Sequence, residues 1–281
     1  MNFRDHPAFL MIGSMKSGTT SVFLDMVQHP EIYAPSIKEP ADLCSDDVLS
    51  EKGRNSYAKV FGGAKAGQWI GEASPHYTRH PHYKDVPRRA LEVFGPDLKL
   101  IFIGRDPVER MRSHFRHEVQ NGTVTTSMLD EIQKNPVLKD VSRYDMQLAQ
   151  WLEVFPREQL LVLDMKDYIE DPKAVVHRVW AFLGLEPVEM DLGIVANQSA
   201  GKRAPRGIVR KVKRSRFYGL YIKPLLSPEM RTRIRHLLVP ARATKFDDQL
   251  PDALVKELAS ELDSDTKQFR SWVVEDRGEA V

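Results

Sequence analysis

The order of apolar and polar positions along the chain predicts strands and helices in alternation. Four apolar, β-rich runs occur at residues 8–12, 68–72, 98–103 and 159–164. The first, third and fourth runs are apolar nearly throughout, which is typical of parallel strands that are covered on both faces. The pattern therefore indicates a sheet with helices on either side.

The segments between these runs show helical periodicity. Residues 143–154 place apolar side chains at a 3.6-residue spacing, and Pro172 follows Asp171 where a helix favours proline in its first turn. Strand and helix alternation predicts a P-loop-like, doubly wound, mostly parallel α/β sheet in a single domain over 1–281. Further helices are predicted at 18–28, 84–94, 107–119, 172–183 and 251–274, the last amphipathic through Leu254, Leu258, Leu262 and Phe269.

Composition narrows the class of protein. The 281 residues are 42% hydrophobic and 28% charged, as in ordinary globular proteins, and the formal charge of +2 gives no reason to expect nucleic-acid binding. The single cysteine, Cys44, fits a reducing compartment. No run approaches the ~20 apolar residues of a membrane span, and the first predicted strand starts at Ala8, too early for a signal peptide. We expect a soluble, cytoplasmic protein.

The charge pattern changes near residue 200. Between Asp191 and Glu229 there is no acidic residue but nine Lys or Arg. Within this stretch, residues 206–223 interleave basic with apolar side chains, a pattern that suits an anionic membrane surface or an anionic glycan, or an ordinary solvated helix. The chain is thus read as a core over 8–204 followed by a basic and helical extension over 205–281.

A glycine-rich turn follows the first predicted strand. Residues 10–22 read LMIGSMKSGTTSV, so the turn opens a helix, whose N-terminal N–H groups and dipole favour a bound phosphate. Gly13 and Gly18 keep the glycine spacing of the ATPase motif G-x-x-x-x-G-K-[ST]. Thr19, however, occupies the lysine position, and Lys16 comes three residues earlier. The turn is predicted to bind a phosphate without the usual ATPase magnesium site.

A second segment with anion-binding character lies at residues 101–113, IFIGRDPVERMRS. Arg105 leaves the carboxyl end of an apolar strand, which is where open α/β sheets bind ligands. Ser113 follows eight residues later, about two helical turns along. An arginine and a hydroxyl can hold a second phosphate by charge-assisted hydrogen bonds. In the alternative interpretation the segment binds no anion: Arg105 pairs locally with Asp106, and Ser113 faces solvent.

Together, in this order, the two segments resemble the motifs of sulfotransferases that use 3′-phosphoadenosine 5′-phosphosulfate (PAPS). The resemblance is closest to the carbohydrate branch of that family, the heparan-sulfate type and its bacterial relatives, and it covers about 8–204. It implies a P-loop-like fold, PAPS as the sulfate donor with PAP as the product, and no required metal.

The resemblance also implies roles for individual residues. Lys16 would neutralise the bridging oxygen as the 5′-phosphate leaves, which is preorganised charge stabilisation. The other implied cofactor-binding residues are Ser17, Gly18, Thr19 and Thr20 for the 5′-phosphate, and Arg105, Ser113, Lys202 and Arg203 for the 3′-phosphate.

The segment at residues 71–78, GEASPHYT, resembles the E-x-[ST]-P-x-Y stretch of the carbohydrate branch. This likeness implies that Glu72 is the general base, although the family usually has lysine where Ala73 stands. His76 is the alternative base, because the unperturbed pKa of histidine lies near neutrality. Lys38, in SIKEP, resembles a family lysine near the sulfate or acceptor; a solvated surface lysine is the alternative.

The expected activity is transfer of sulfate to a hydroxyl, or as second choice an amine, of a carbohydrate or glycolipid acceptor. The alternatives are an acceptor among small natural products, a P-loop kinase or NTPase, and a binding protein that keeps the nucleotide fold without catalysis. Neither the acceptor nor the oligomeric state follows from the sequence.

Overall fold

The centre of the molecule is a four-stranded parallel sheet. A computed structural model describes residues 2–35, 37, 39–121, 123–191 and 248–278. The strand order is β2-β1-β3-β4, and every neighbouring pair is parallel. The four predicted strands are confirmed, with β2 starting two residues later than expected. Their bounds are β1 Ala8–Gly13, β2 Ile70–Ala73, β3 Lys99–Gly104 and β4 Leu160–Asp164.

Helices follow or precede each strand. Local caps fix several helix starts; for example, the Asp171 carboxylate accepts the Ala174 N–H at 3.0 Å ahead of the helix that opens with Pro172. Within the described residues, none of the helices is both long and apolar enough for a membrane span. In that part of the chain the helices are α1 Thr19–Met26, α2 Glu51–Ala58, α3 Val86–Phe94, α4 Pro107–Asn121, α5 Met128–Lys134, α6 Val137–Asp140, α7 Tyr144–Leu152, α8 Met165–Glu170, α9 Pro172–Phe182, α10 Asp252–Glu261 and α11 Asp263–Asp276.

The sheet is covered on both faces. Along β1, Leu10 and Ile12 pack into one buried cluster, while Phe9 and Met11 pack into another. Helices α2, α3, α7 and α11 contribute to the first cluster, and α1 and α9 to the second. Because both faces are buried, the strands are mostly apolar, and the predicted doubly wound α/β fold is confirmed.

The predicted single helix over 251–274 is wrong. The chain forms α10 and α11 instead, with the break at Leu262. Leu262 is completely buried in a cluster with Met111 of α4, whereas Phe269 packs on the sheet side with its ring 5.0 Å from that of Tyr144. The two halves therefore bend apart because they pack on different partners.

The topology places the predicted functional segments at one edge of the sheet. From β1 the chain moves to β2 on one side and then to β3 on the other, so the strand order reverses at β1. Open α/β sheets bind ligands at such a switch point, beyond the carboxyl ends of the strands. The glycine-rich turn after β1, Glu72 near the end of β2 and Arg105 directly after β3 all lie at this edge.

Candidate active site

The turn between β1 and α1 has a backbone that is set by two left-handed residues. Lys16 has φ +73° and Gly18 has φ +84°. A Cβ on Gly18 would overlap the sulfur of Met165, so both conformation and space require glycine there. The hydroxyls of Ser14 and Ser17 lie 2.6 Å apart in the buried base of the turn. The result is a fixed, glycine-dependent cradle at the N-terminus of α1.

Arg105 lies directly against this turn. Its Nη1 donates to the carbonyl of Lys16 at 3.5 Å. The hydroxyl of Tyr144 holds the Arg105 backbone, accepting from its N–H at 3.2 Å and donating to its carbonyl at 2.8 Å. The local ion pair of Arg105 is with Glu109, at 3.9 Å, whereas Asp106 accepts the Glu109 N–H at the start of α4. The alternative pairing of Arg105 with Asp106 is therefore not observed.

A second arginine lies beneath the turn. The Arg110 side chain is completely buried, and its Nη1 donates to the carbonyl of Met15 at 3.2 Å. Its Nε donates to Ser142 Oγ at 2.6 Å and its Nη2 to the Leu138 carbonyl at 2.5 Å. Burial lowers the pKa of Arg110 to about 10, so the group stays cationic at neutral pH.

A cleft opens on the far side of Arg105. Its volume is about 380 Å³, within the range of small-molecule sites. It is formed by the start of α4 together with α8 and α11, and its lining includes Arg105, Glu109, Met165, Ile169, Phe269 and Arg270. Arg105 therefore lies between the turn and the cleft, whose lining also includes the acidic residues Asp106, Asp164 and Glu170.

Glu72 occupies the neighbouring strand and is completely buried. In the sheet register it lies opposite Leu10 of β1. Its Oε1 accepts a hydrogen bond from the Tyr57 hydroxyl at 3.2 Å. The Oε2 atom makes no hydrogen bond of normal geometry within the described part of the chain. A carboxylate in this position has an oxygen left over for a proton or a further donor.

Burial raises the pKa of Glu72 to about 7. The nearby hydroxyls of Tyr77, Ser74 and Tyr57 act in the opposite direction, and the charge of Asp42 raises the pKa further. A carboxyl group with this pKa is present partly as carboxylate near neutral pH and can accept a proton there.

The segment after Glu72 is attached to the turn. Thr78 Oγ1 donates to the carbonyl of Ile12 at 3.0 Å, and a Cβ on Gly13 would overlap that hydroxyl. Ser74 Oγ accepts the N–H of Ala41 at 3.0 Å, which connects the same segment to residues before α2. The two sides of the site are therefore held together by direct contacts, as preorganised sites require.

Comparison with known proteins identifies the fold. A profile of the sulfotransferase family matches residues 54–189, which include Glu72, Arg105 and Ser113. A solved sulfotransferase from Alicyclobacillus acidocaldarius superposes with a TM-score of 0.57 at 28% sequence identity, covering 66% of this chain and 87% of the other. Residues 54–189 therefore match the sulfotransferase family, and the fold is that of a sulfotransferase.

The curated relatives that this chain matches are larger proteins. The mouse bifunctional heparan sulfate N-deacetylase/N-sulfotransferase 4 is 28% identical over 204 residues, which is 65% of this chain and 23% of the relative. The human heparan sulfate glucosamine 3-O-sulfotransferase 6 is 28% identical over 208 residues, which is 70% of this chain and 58% of the relative. The chain thus spans about a quarter of the first relative and somewhat over half of the second.

The structure brings together some of the predicted site residues. Ser17 and Thr19 are buried in the turn and Thr20 is exposed, while Ser113 is half-buried on α4. Their roles stay predictions. The predicted residues Lys38, Lys202 and Arg203, and the basic segment 206–223, lie outside the described residues.

Sequence reasoning missed Arg110, although it lies within the quoted segment. Arg110 and His114 are four residues apart on α4 and are both buried, next to the buried apolar pair Met111 and Phe115. The position of this polar pair on the apolar face of the helix could have indicated a buried hydrogen-bond network, because such side chains are rarely buried without a specific partner.

Proposed function

We propose that this sulfotransferase transfers the sulfuryl group of PAPS to a hydroxyl of a carbohydrate or glycoconjugate acceptor. The observation that carries the proposal is the 3.5 Å approach of the Arg105 guanidinium to the carbonyl of Lys16, at the sheet edge that also carries Glu72. A donor with phosphate at both ends of its nucleoside suits two cationic groups at one turn.

The residues present fit that donor. The turn provides a glycine-dependent cradle at the N-terminus of an eight-residue helix, where an anion is favoured. Arg105 leads from the turn into the cleft of about 380 Å³, which offers space for the nucleoside. On this proposal the 5′ end lies on the turn and the 3′-phosphate lies between Arg105 and Ser113.

The chemistry divides between the two sides of the site. The acceptor oxygen forms a bond to sulfur while its proton passes to the Glu72 carboxylate, and the bond from sulfur to the 5′-phosphate oxygen breaks. Lys16 neutralises the charge that develops on the leaving phosphate. The products are a sulfate ester and PAP, and the proposal gives no role to a metal.

The environment of Glu72 supports its assignment as the base. Burial keeps its pKa near neutral pH rather than in the acidic range, and Oε2 is not engaged by a hydrogen bond of normal geometry in the described residues. His76, the alternative base, is only half-buried, and its ring packs against Tyr83 at 6.4 Å. Substitutions at both positions decide between them.

The names of the relatives support a carbohydrate acceptor but include both N- and O-sulfotransferases. We therefore propose a hydroxyl acceptor on the strength of the base, since a carboxylate that takes a proton is needed most by a weakly acidic hydroxyl. A small natural product is the alternative acceptor. Labelled sulfate from PAPS, offered to a panel of glycans, glycolipids and small alcohols and amines, identifies the class directly.

Nucleotide selectivity tests the donor assignment. PAP should raise the melting temperature of the protein, whereas Mg-ATP at the same concentration should leave it unchanged. Stabilisation by Mg-ATP alone would favour a kinase or NTPase. Stabilisation by PAP without sulfate transfer to any acceptor would leave a nucleotide-binding protein.

Three further roles are proposed on sequence alone. Lys202 and Arg203 would add to the 3′-phosphate clamp and Lys38 would approach the sulfate, and residues 206–223 would contact an anionic membrane or glycan. Salt-sensitive binding to anionic vesicles favours the membrane, and salt-sensitive glycan binding without vesicle binding favours the glycan. A cytoplasmic location is proposed on the single cysteine, Cys44.

A further inference from the structure

Arg110 is a buried cation without a directly bonded carboxylate. Its hydrogen-bond partners in the described part of the chain are two carbonyls, the Ser142 hydroxyl and the imidazole Nδ1 of His114 at 3.3 Å. Burying a charge is unfavourable unless an opposite charge compensates for it. The position of Arg110, beneath a turn that suits an anion, is where a bound phosphate would supply that compensation.

Glu118 is connected to Arg110 through a histidine. Burial lowers the pKa of His114 to about 4, so its imidazole is neutral at neutral pH. Since Nδ1 faces an arginine N–H, the network assigns the ring proton to Nε2, which lies 3.7 Å from Glu118 Oε1. The charge of Arg110 is thus neutralised only at a distance, which leaves a positive field beneath the turn.

The contact to Met15 orients one peptide of the turn. A trans peptide is planar, and its carbonyl and N–H point in opposite directions. The hydrogen bond from Arg110 points the Met15 carbonyl towards Arg110, so the N–H of Lys16 in the same peptide points away from Arg110. The next carbonyl, that of Lys16, is held by Arg105. Two arginines thereby fix two successive peptides of the turn.

We infer that Arg110 is a positioning residue for the 5′ end of the donor: it holds the Met15–Lys16 peptide in the orientation that presents the Lys16 N–H, and it places a permanent positive charge behind the turn. The inference rests on the proposed function. It predicts that Arg110 acts on the 5′-phosphate rather than on the 3′-phosphate, which lies with Arg105 and Ser113.

Binding of three nucleotides tests this by calorimetric titration: PAP, adenosine 5′-monophosphate and adenosine 3′-monophosphate. Arg110→Gln should weaken PAP and the 5′-monophosphate by about 10-fold or more, because a charge-assisted hydrogen bond is lost, and the 3′-monophosphate by no more than about twofold. Arg110→Lys should fall between, because it keeps the charge but not the forked geometry. Arg116 lies on the same helix but is exposed and paired with Asp248, so Arg116→Gln is the matched control. It should leave the affinities for all three nucleotides unchanged.

A merely structural role would weaken both monophosphates equally, and that result would overturn the inference. If Arg110→Gln shows no cooperative melting, Ser142→Ala replaces it, since it removes the 2.6 Å partner of Nε and keeps the arginine. Its expected loss is about threefold, again for the 5′-monophosphate only; equal losses or none would contradict the assignment. If the wild-type protein binds PAP and the Arg110→Gln variant binds it equally well, only this inference is wrong. If the wild-type protein binds no PAP, the proposed function is wrong as well.

Discussion

The proposed donor side and the proposed base side of the site lie one strand apart and treat charge in opposite ways. On the proposed donor side, the guanidinium groups of Arg105 and Arg110 donate hydrogen bonds to carbonyls of the glycine-rich turn. On the base side, Glu72 is enclosed by the hydroxyls of Tyr57 and Tyr77, and burial pushes its pKa up to about 7. The proposed donor side presents fixed positive charge, whereas burial on the proposed base side disfavours the charged form of Glu72.

This difference suits a transfer in which charge moves across the site. Negative charge that accumulates on a leaving phosphate requires fixed positive groups, and these need not change their protonation state. A base must change its protonation state, and a buried carboxyl does so near neutral pH. The contrast is a physical prediction: substitutions on the base side should alter pH dependence, and those on the donor side should alter nucleotide binding and turnover.

The largest effect is expected for Glu72→Gln. The change keeps size and hydrogen bonding but removes the base, so turnover should fall by about 10²–10⁴-fold, the usual contribution of general-base catalysis. Sulfate transfer measured at saturating donor and acceptor checks this. His76→Ala is the comparison: if it abolishes turnover while Glu72→Gln stays nearly normal, the roles of the two residues are reversed.

Thermal melting separates loss of chemistry from loss of fold in the same variant. The folded-state pKa of Glu72 is raised above 4.5, so its contribution to stability is fully present below that pH and is lost as the pH rises through about 7. Glutamine does not ionise. Glu72→Gln should therefore melt at an equal or higher temperature than the wild type at pH 8–9, and a lower melting temperature there would count against the buried, high-pKa carboxyl.

Lys16→Ala should cost on the order of 10²-fold in turnover, because it removes preorganised charge at the leaving group. The matched control is Lys52→Ala on the exposed surface of α2, which should leave activity unchanged. Single-turnover rates with saturating PAPS make the comparison. A fully active Lys16→Ala enzyme would exclude Lys16 from the transfer step.

Gly18→Ala tests the backbone of the donor side. A side chain at φ +84° is strained by roughly 1–2 kcal/mol, and its Cβ would also overlap Met165. PAP binding should weaken by about tenfold, an effect of the same size as that strain. Adding Met165→Ala to the Gly18→Ala variant should remove the overlap with the methionine side chain but not the backbone strain, so PAP binding should recover only in part. Complete recovery of binding would show that φ is not the constraint.

The smallest effect is expected for Tyr57→Phe. The Tyr57 hydroxyl donates to Glu72 and holds its pKa down, so its removal should raise that pKa and move the acid limb of the kcat/KM profile upward by about 0.5–1 pH unit. Activity should fall a few-fold at pH 7 and recover at higher pH. Tyr168→Phe, which removes a hydroxyl bonded to Asp25 instead, is the control. A profile that moves to lower pH would contradict the assignment.

The sequence was sufficient for the sheet but not for all of the helices. The strands were predictable because burial on both faces leaves an apolar run, as at Leu100 to Ile103. Helix α2 was missed because its sequence EKGRNSYA is mostly polar and depends on a Ser50 cap rather than on periodicity. The break at Leu262 was missed because the apolar residues of 251–274 fit the periodicity of a single helix. Only the tertiary packing, of Leu258 and Leu262 on α4 and of Phe269 on the sheet, divides that helix in two.

The site was predictable where chemistry is local and not where it depends on distant contacts. Glycine spacing and the basic residues beside it identified the turn that carries Lys16. The arrangement of Arg110 with Met15, Ser142 and Leu138 joins residues up to 95 positions apart, and no local pattern encodes that meeting. The raised pKa of Glu72 likewise comes from packing, with Tyr57 fifteen residues away.

The packing of α11 has a consequence for synthesis. Phe269 lies against Gly104, directly before Arg105, and together with Thr266 and Arg270 it forms one wall of the cleft. A nascent chain on the ribosome therefore has its glycine-rich turn and both arginines long before it has that wall. On the proposed function, the nascent chain can hold a nucleotide in this cleft only after α11 has been synthesised and has left the exit tunnel.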